Sequence, residues 1–161
     1  MELSVVLVIA GIVAGAVALR TARPMGNARM ADALGAIRDF DLTTRSVARG
    51  HDCPCNVLAD LAGGRLARTD ERGRASEGAS LALPPRCRIE RLLVGGQESY
   101  GGEVAVHYSR RGLSPAYAFC LEVQDRRQWV AVAGMTGQQV LVENEKESRE
   151  ILAAGAGHVA D

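Results

Sequence analysis

The apolar run at the start of the chain constrains its fold more than any other feature. From Leu3 to Leu19 only Ser4 is polar, so a helix over this stretch has no polar side to turn toward water and is predicted to lie in lipid. At about 1.5 Å per residue such a helix covers roughly 25 Å, slightly less than the roughly 30 Å hydrocarbon core of a bilayer. We therefore expect residues 1–24 to form a membrane segment whose start, upstream of Met1, is truncated.

The residues on either side of the run favour an anchor that is not removed. A cleaved secretory signal has a basic region before the apolar stretch and small residues after it. Here an acid, Glu2, precedes the stretch and Arg20 follows it. Taken alone, the positive-inside rule would place Arg20, Arg23 and Arg29 in the cytoplasm, and a basic leader upstream would offset this.

Two features of the apolar segment point to contacts between helices. Gly11 and Gly15 form a G-x-x-x-G step, which lets a second helix approach closely, although common apolar composition gives the same pattern. Glu2 places an acid where the segment enters the hydrocarbon. An ionised acid costs roughly 2.5 to 3.5 kcal/mol at mid-bilayer and less near a helix end, so it normally has a partner. The alternative is an acid at headgroup level that pairs with nothing.

The sequence MELSVVLVIAGIVAGAVAL resembles the N-terminal methylation segment of type IV pilins and type II secretion pseudopilins. In that family a basic leader and G-F-T-L-[I/M]-E-L precede an aliphatic helix, and Met1, Glu2 and Leu3 match the end of the motif. The resemblance implies that a prepilin peptidase and methyltransferase act upstream of Met1. It also assigns Glu2 and Leu3 to filament assembly, with Glu2 neutralising the N-terminal ammonium of a neighbouring subunit and setting register.

An amphipathic pattern follows Pro24. Apolar residues recur at spacings of three and four, which predicts a stalk helix over residues 25–50. One face is predicted to pack against a sheet through Met30, Leu34, Ile37 and Phe40. The other face is predicted to be solvated and carries Arg29, Asp32, Asp39, Arg45 and Arg49.

Beyond Gly50 short alternating runs separated by turn residues predict an antiparallel sheet. Gly63 and Gly64 are predicted to form a two-residue hairpin loop, and residues 70–80 to form a longer loop. The strands are predicted at NVLADLA, RLART, CRIERLLV, EVAVHYS, AYAFCLEV, QWVAVA and QQVLVE. One sheet face is predicted to carry Tyr117, Phe119, Leu121 and Val123.

The order of elements extends the resemblance along the chain. A long N-terminal helix followed by RRGLSPAYAFCLEV and WVAVAGMTGQQVLVEN is similar to the GspH/FimT-type minor pseudopilins. This implies an α+β, type IV pilin-like fold in which the long helix packs on a small antiparallel β-sandwich. The β domain would cover residues 51–143, and residues 144–161 would form a C-terminal tail in which EKESREILAA could form a short helix.

The four cysteines, Cys53, Cys55, Cys87 and Cys120, are an even number and fit disulfides in an oxidising compartment. Cys87 with Cys120 is the candidate pair, although the sequence does not fix the pairing. Only one residue separates Cys53 from Cys55, whereas thioredoxin-type sites have two. The spacing also lacks the paired knuckles of structural zinc modules.

No sequence pattern indicates catalysis, a cofactor or a metal. The three histidines are far apart and accompany no H-E-x-x-H or Ser/His/Asp signature, and the glycine pairs form no nucleotide-binding motif. The 19 basic and 19 acidic residues balance, which argues against a nucleic-acid partner. We therefore expect a protein that is not an enzyme and that has no cofactor.

The residues and the resemblance together predict a minor pseudopilin of a type II secretion system. It would cross the bacterial inner membrane once, with its C-terminal domain in the periplasm. Its partners would be other pseudopilins of the filament, with exported proteins as candidates. The alternatives are a minor type IV pilin, a membrane-anchored thiol-redox enzyme using Cys53 and Cys55, and a single-pass protein with a ligand-binding β domain and a genuine start at Met1.

Overall fold

A computed structural model describes the backbone of residues 2–156 and the side chains of residues 26–74 and 79–154. The predicted assembly residues Glu2, Leu3, Gly11 and Gly15 fall within the first helix, and their side chains lie outside the described residues. The elements in chain order are α1 (Glu2–Gly50), β1 (Cys55–Asp60), β2 (Arg65–Asp70), β3 (Ala75–Ala82), β4 (Cys87–Val94), β5 (Gln97–Ser99), β6 (Glu103–Tyr108), β7 (Tyr117–Val123), β8 (Arg126–Val132), β9 (Gln139–Val142) and α2 (Glu145–Ala156).

The strands form two antiparallel sheets, with strand orders β3-β2-β1-β6 and β5-β4-β7-β8-β9. Both sheets turn one face toward α1 and share a single core with it, in which Ile37 meets side chains such as Val57 and Phe119. The predicted pilin-like α+β fold is therefore confirmed. The shared face of β7 is also confirmed, since the core contains Tyr117, Phe119, Leu121 and Val123.

The stalk half of α1 packs through the stripe that the sequence predicted. Ile37 is 4% exposed and belongs to the core. Three partly buried side chains pack beside it: Met30, Leu34 and Phe40. Fully burying a large apolar side chain stabilises a fold by roughly 1.5–3 kcal/mol, so Ile37 contributes about that much to holding α1 on the sheets and its partly buried neighbours each contribute less.

The structure describes α1 as one helix that continues through the predicted boundary at Pro24. Over residues 26–154, no helix carries an apolar stretch long enough to cross a bilayer. The predicted membrane segment, residues 1–24, lies outside that range.

Two loop predictions are wrong. The hairpin loop between β1 and β2 contains four residues, because Asp60 pairs with Arg65 and the Asp60 Oδ1 accepts the Gly63 N–H at 2.8 Å, which closes the turn. Most of the predicted loop 70–80 belongs to strand β3, which pairs with β2, and only residues 71–74 turn. Pairing with a neighbouring strand outweighs the low strand propensity of this Gly- and Ser-containing segment.

The helix expected in the C-terminal tail is present as α2. Asn144 begins it by accepting the Glu147 N–H at its Oδ1, at 3.0 Å. α2 covers the face of the five-stranded sheet that points away from α1, where Leu152 packs with Trp129 and Val142 in a second cluster. The five-stranded sheet is therefore buried on both faces, which explains the continuous burial of β7 and most of β8.

Candidate assembly site at the helix-to-body junction

An arginine on α1 lies inside the protein where the helix meets both sheets. Arg45 is 2% exposed, and its Nε donates to the Asp41 Oδ2 at 2.7 Å, one helical turn away. The prediction that Arg45 belongs to a solvated face is wrong, because the loops before β7 and after β8 enclose this part of α1. The other charges of that face agree better with the prediction, since Asp32, Asp39 and Arg49 are exposed and Arg29 is half-buried.

The remaining donors of Arg45 join α1 to two loops of the body, by which we mean the two sheets, their loops and α2. Its Nη1 donates to the Gly112 carbonyl oxygen at 3.1 Å and to the Gly134 carbonyl oxygen at 2.6 Å. Its Nη2 donates to the Ser114 Oγ at 2.8 Å. The fixed fork of a guanidinium supplies several donors in one plane, so a single side chain can hold two separate loops against the helix.

Asp41 bonds to one tyrosine from each sheet. Its Oδ1 accepts the hydroxyl of Tyr108, on β6, at 2.6 Å and the hydroxyl of Tyr117, on β7, at 2.9 Å. Burial, followed by the nearby Asp41 charge, raises the pKa of Tyr108. Burial also raises the pKa of Tyr117. Both phenols therefore keep their protons and remain hydrogen-bond donors.

Two glycines let the loops come this close. Gly112 has φ 70°, and a methyl group there would lie 2.6 Å from the Arg45 carbonyl oxygen. A methyl group on Gly134 would lie 2.1 Å from the Ser114 carbonyl oxygen. Both distances are below van der Waals contact with backbone atoms. A side chain at Gly112 would therefore push its loop away from α1, and a side chain at Gly134 would push the two loops apart.

The junction is built to hold elements together. The cavity beside it measures about 30 Å³ and is lined by Asp41, Tyr108, Tyr117 and apolar side chains. That volume admits a water molecule and is far too small for a substrate. In residues 26–74 and 79–154, no group of three His, Cys, Asp or Glu side chains is placed to hold a metal ion.

The predicted disulfide between Cys87 and Cys120 is not formed in the structure, and both thiols are free and buried. Cys87 faces the core under α1, whereas Cys120 faces α2 on the opposite side of the same sheet. Cys87 pairs with Val123, so Cys120 lies about 10 Å farther along β7. A disulfide needs Cα atoms within about 7 Å, and its prediction is therefore wrong.

The Cys53–Pro54–Cys55 stretch lies between the end of α1 and the start of β1. Cys53 is exposed and Cys55 is buried. Burial raises the pKa of the Cys55 thiol, although the nearby Arg68 charge partly opposes this. Reactive thiols have a lowered pKa, so this environment argues against the thiol-redox alternative.

Sequence reasoning did not identify Asp41, Tyr108 and Tyr117 as members of a junction with Arg45. The i, i+4 spacing of Asp41 and Arg45 is the one local signal of an ion pair. It does not distinguish a buried pair from an exposed one. The contacts that bury it come from residues more than 60 positions away along the chain.

Comparison with known proteins supports the fold. A solved structure, that of the minor pseudopilin EpsH from the type 2 secretion system of Vibrio cholerae, matches the chain with a TM-score of 0.53. The match covers 73% of this chain and 96% of that chain. The chain has a minor pseudopilin fold. The two sequences are 15% identical, and neither a protein-family model nor a curated protein matches the chain.

Proposed function

We propose that the chain is a minor pseudopilin, a structural subunit of the periplasmic pseudopilus of a type II secretion system that contributes to protein export. The observation that carries the proposal is the likeness of the fold to the Vibrio cholerae minor pseudopilin, over nearly all of that chain. The N-terminal sequence supports it independently, because Met-Glu-Leu leads into an apolar run, nearly long enough to cross a bilayer, that precedes this body.

In the proposed mechanism, residues 1–24 hold the precursor in the inner membrane with its body in the periplasm. A prepilin peptidase and methyltransferase act upstream of Met1. The apolar segment then leaves the bilayer as subunits pack, and contacts between helices replace contacts with lipid. Gly11 and Gly15 allow close approach, and Glu2 pairs with the N-terminal ammonium of a neighbour, which fixes the register.

The junction gives the β domain a fixed place in such a filament. A subunit held by its N-terminal helix can position its body only if the body follows the helix rigidly. Arg45 holds two loops to α1, and Asp41 holds one strand of each sheet. The partners of the body would be other pseudopilins and exported proteins, and no catalytic step is part of the proposal.

The proposal is tested by deleting the gene for the chain in its bacterium, provided that the type II secretion system of that bacterium works. We expect exported proteins to accumulate in the periplasm, with surface pili and motility unchanged. Complementation with the gene in its native genomic context should restore export. Loss of pili or motility with normal export would support a minor type IV pilin instead. Normal export together with normal pili would overturn both.

A further inference from the structure

One edge of the five-stranded sheet lacks the usual protection against pairing. β9 is the last strand of that sheet, and Val140 and Leu141 are 43% and 61% exposed. The turn before it exposes Met135 at 65%. No charged residue occurs from Ala133 to Val142. Two of the other edge strands, β3 and β6, carry a glutamate in their sequence, and the third, β5, is only three residues long. Edge charges and very short edge strands normally prevent pairing with another chain, so β9 is the open edge of the two sheets described.

Among the described residues, the outer backbone groups of β9 have no partner strand. The Ala133 N–H donates to the Gln138 carbonyl oxygen at 2.9 Å, which closes the β8–β9 hairpin with a hydrogen-bonded pair. Antiparallel pairing alternates from there, so Val140 bonds to β8, while Gln139 and Leu141 direct their N–H and C=O groups away from it. A row of unpaired donors and acceptors is complementary to an extended backbone.

The open edge faces sideways from the long axis of α1. Arg126, at the start of β8, donates to the Asn27 side chain, and the Gly134 carbonyl oxygen after β8 accepts from Arg45. α1 covers about 27 Å between Asn27 and Arg45, and the chain from Arg126 to Gly134 covers about 26 Å. β8 therefore runs alongside α1, and β9 lies one strand farther out. In a filament with parallel α1 helices, a neighbouring body lies on such a flank.

We propose that the β9 edge pairs with an extended segment of a different pilin-like subunit in the filament, which adds a sixth strand to the five-stranded sheet. This inference rests on the proposed function. The partner segment bonds to the backbone of Gln139 and Leu141 and places uncharged side chains against Val140 and Leu141, because a charged side chain there would lose its water without gaining an ion pair.

Photo-crosslinking in cells tests which partner occupies the edge. Full-length chains carry p-benzoylphenylalanine in place of Leu141 or, as the matched control, in place of Tyr100, which is 66% exposed near β5 at the other edge of the same sheet. We expect position 141 to give an adduct with another pilin-like subunit at several times the yield of position 100. Equal yields at both positions, an adduct with a second copy of the chain, or an adduct with an exported protein would overturn the inference.

A backbone variant tests the strand pairing itself. Leu141→Pro removes an N–H that points away from β8, so it leaves the hairpin bonds intact, whereas Leu141→Thr keeps that N–H. With p-benzoylphenylalanine in place of Met135 as the reporter, we expect at least a tenfold loss of adduct for Leu141→Pro and little loss for Leu141→Thr. If Leu141→Pro alters the thermal unfolding of the protein, Leu141→Lys replaces it with the same expected loss. An unchanged adduct would overturn the inference.

The two proposals fail in different ways. If the wild-type chain enters the filament and supports export but the Leu141 variants crosslink normally, the pairing at β9 is refuted and the proposed function stands. If the wild-type chain is absent from the filament, the proposed function is refuted. The filament content is measured in the same cells as the crosslink.

Discussion

Arg45 and Asp41 form an ion pair at 2.7 Å in which each side chain is 3% exposed. Each partner also bonds to parts of the body far along the chain, so the pair joins α1 to both sheets at one point. A buried ion pair often adds little net stability compared with an apolar pair, but removing one partner is costly. We interpret this pair as a device that fixes how the body sits on the helix.

The first prediction concerns Arg45→Met. The substitution leaves the Asp41 carboxylate buried without its cation, so the free energy of unfolding should fall by about 3–5 kcal/mol. Arg49→Met is the matched control, because Arg49 is an exposed arginine one turn farther along α1, and its change should stay within about 0.5 kcal/mol. Urea unfolding of both variants measures the difference. A loss below about 1 kcal/mol for Arg45→Met would show that the pair does not hold the junction.

A second prediction compares two glycines. Gly134→Ala forces a methyl group against the Ser114 carbonyl oxygen and pushes apart the two loops that Arg45 holds, so it should destabilise the fold by about 1–3 kcal/mol. Gly35→Ala adds a methyl group in the helix with no atom within 4 Å, so it should stabilise the fold by about 0.5–1 kcal/mol. Thermal unfolding should therefore move in opposite directions for the two variants, and a shift in the same direction would contradict the packing described.

A third prediction concerns the thiols. Cys53 is exposed, and the three others are buried and free. A maleimide reagent should add once to the folded protein and four times to protein unfolded without a reductant, as counted by intact mass. Two additions after unfolding would show that one disulfide exists. Replacing Cys53 with serine should abolish the single addition to the folded protein.

The fourth prediction is a loss of stability at alkaline pH. Burial and the neighbouring Glu90 carboxylate raise the pKa of the Cys120 thiol from 9.0 to about 11. Between these values the unfolded chain has released a proton that the folded chain keeps, so this contribution to stability is complete below about pH 9 and is lost as the pH rises toward 11. Burial also raises the pKa of Cys55 and Cys87, so these thiols add to the same loss of stability at alkaline pH.

Urea midpoints measured from about pH 8 to about pH 11 should therefore fall for the wild type and fall less steeply for Cys120→Ala. Cys53→Ala, which removes an exposed thiol, should keep the wild-type pH dependence. The slope is compared rather than the midpoint itself, because the alanine variant also leaves a small cavity. Identical slopes for wild type and Cys120→Ala would rule out this thiol as a source of the effect.

The sequence was informative where periodicity and burial agree. The stripe through Ile37 and the alternation in β7 each describe a face that packs on one core, so local pattern was enough to place them. Strand β3 was missed because its Gly- and Ser-containing sequence resembles a loop, and its pairing with β2 is a tertiary effect. The predicted disulfide between Cys87 and Cys120 was wrong because the two thiols lie on opposite faces of the sheet and at different heights, and the register of β4 against β7 that sets this is not encoded in either local sequence.

The candidate site was harder to predict than the fold. Arg45 has the residue type and the spacing of a solvated charge on a helix. It is buried because the loops formed by residues 109–116 and 133–138 cover it. Tyr108 and Tyr117 lie on different sheets, so their meeting at Asp41 depends on how the two sheets pack on α1. Contacts of this kind are not encoded in any local spacing.

The most direct measurement is the content of the full-length chain in filaments sheared from cells that overproduce the major subunit of the secretion system. If the chain is a minor pseudopilin, it sediments with the filaments in a small, constant ratio to the major subunit, and a Glu2→Ala variant of the precursor stays in the membrane fraction. Filaments that form normally and contain none of the chain, while the chain remains intact in the membrane, would contradict the proposed function.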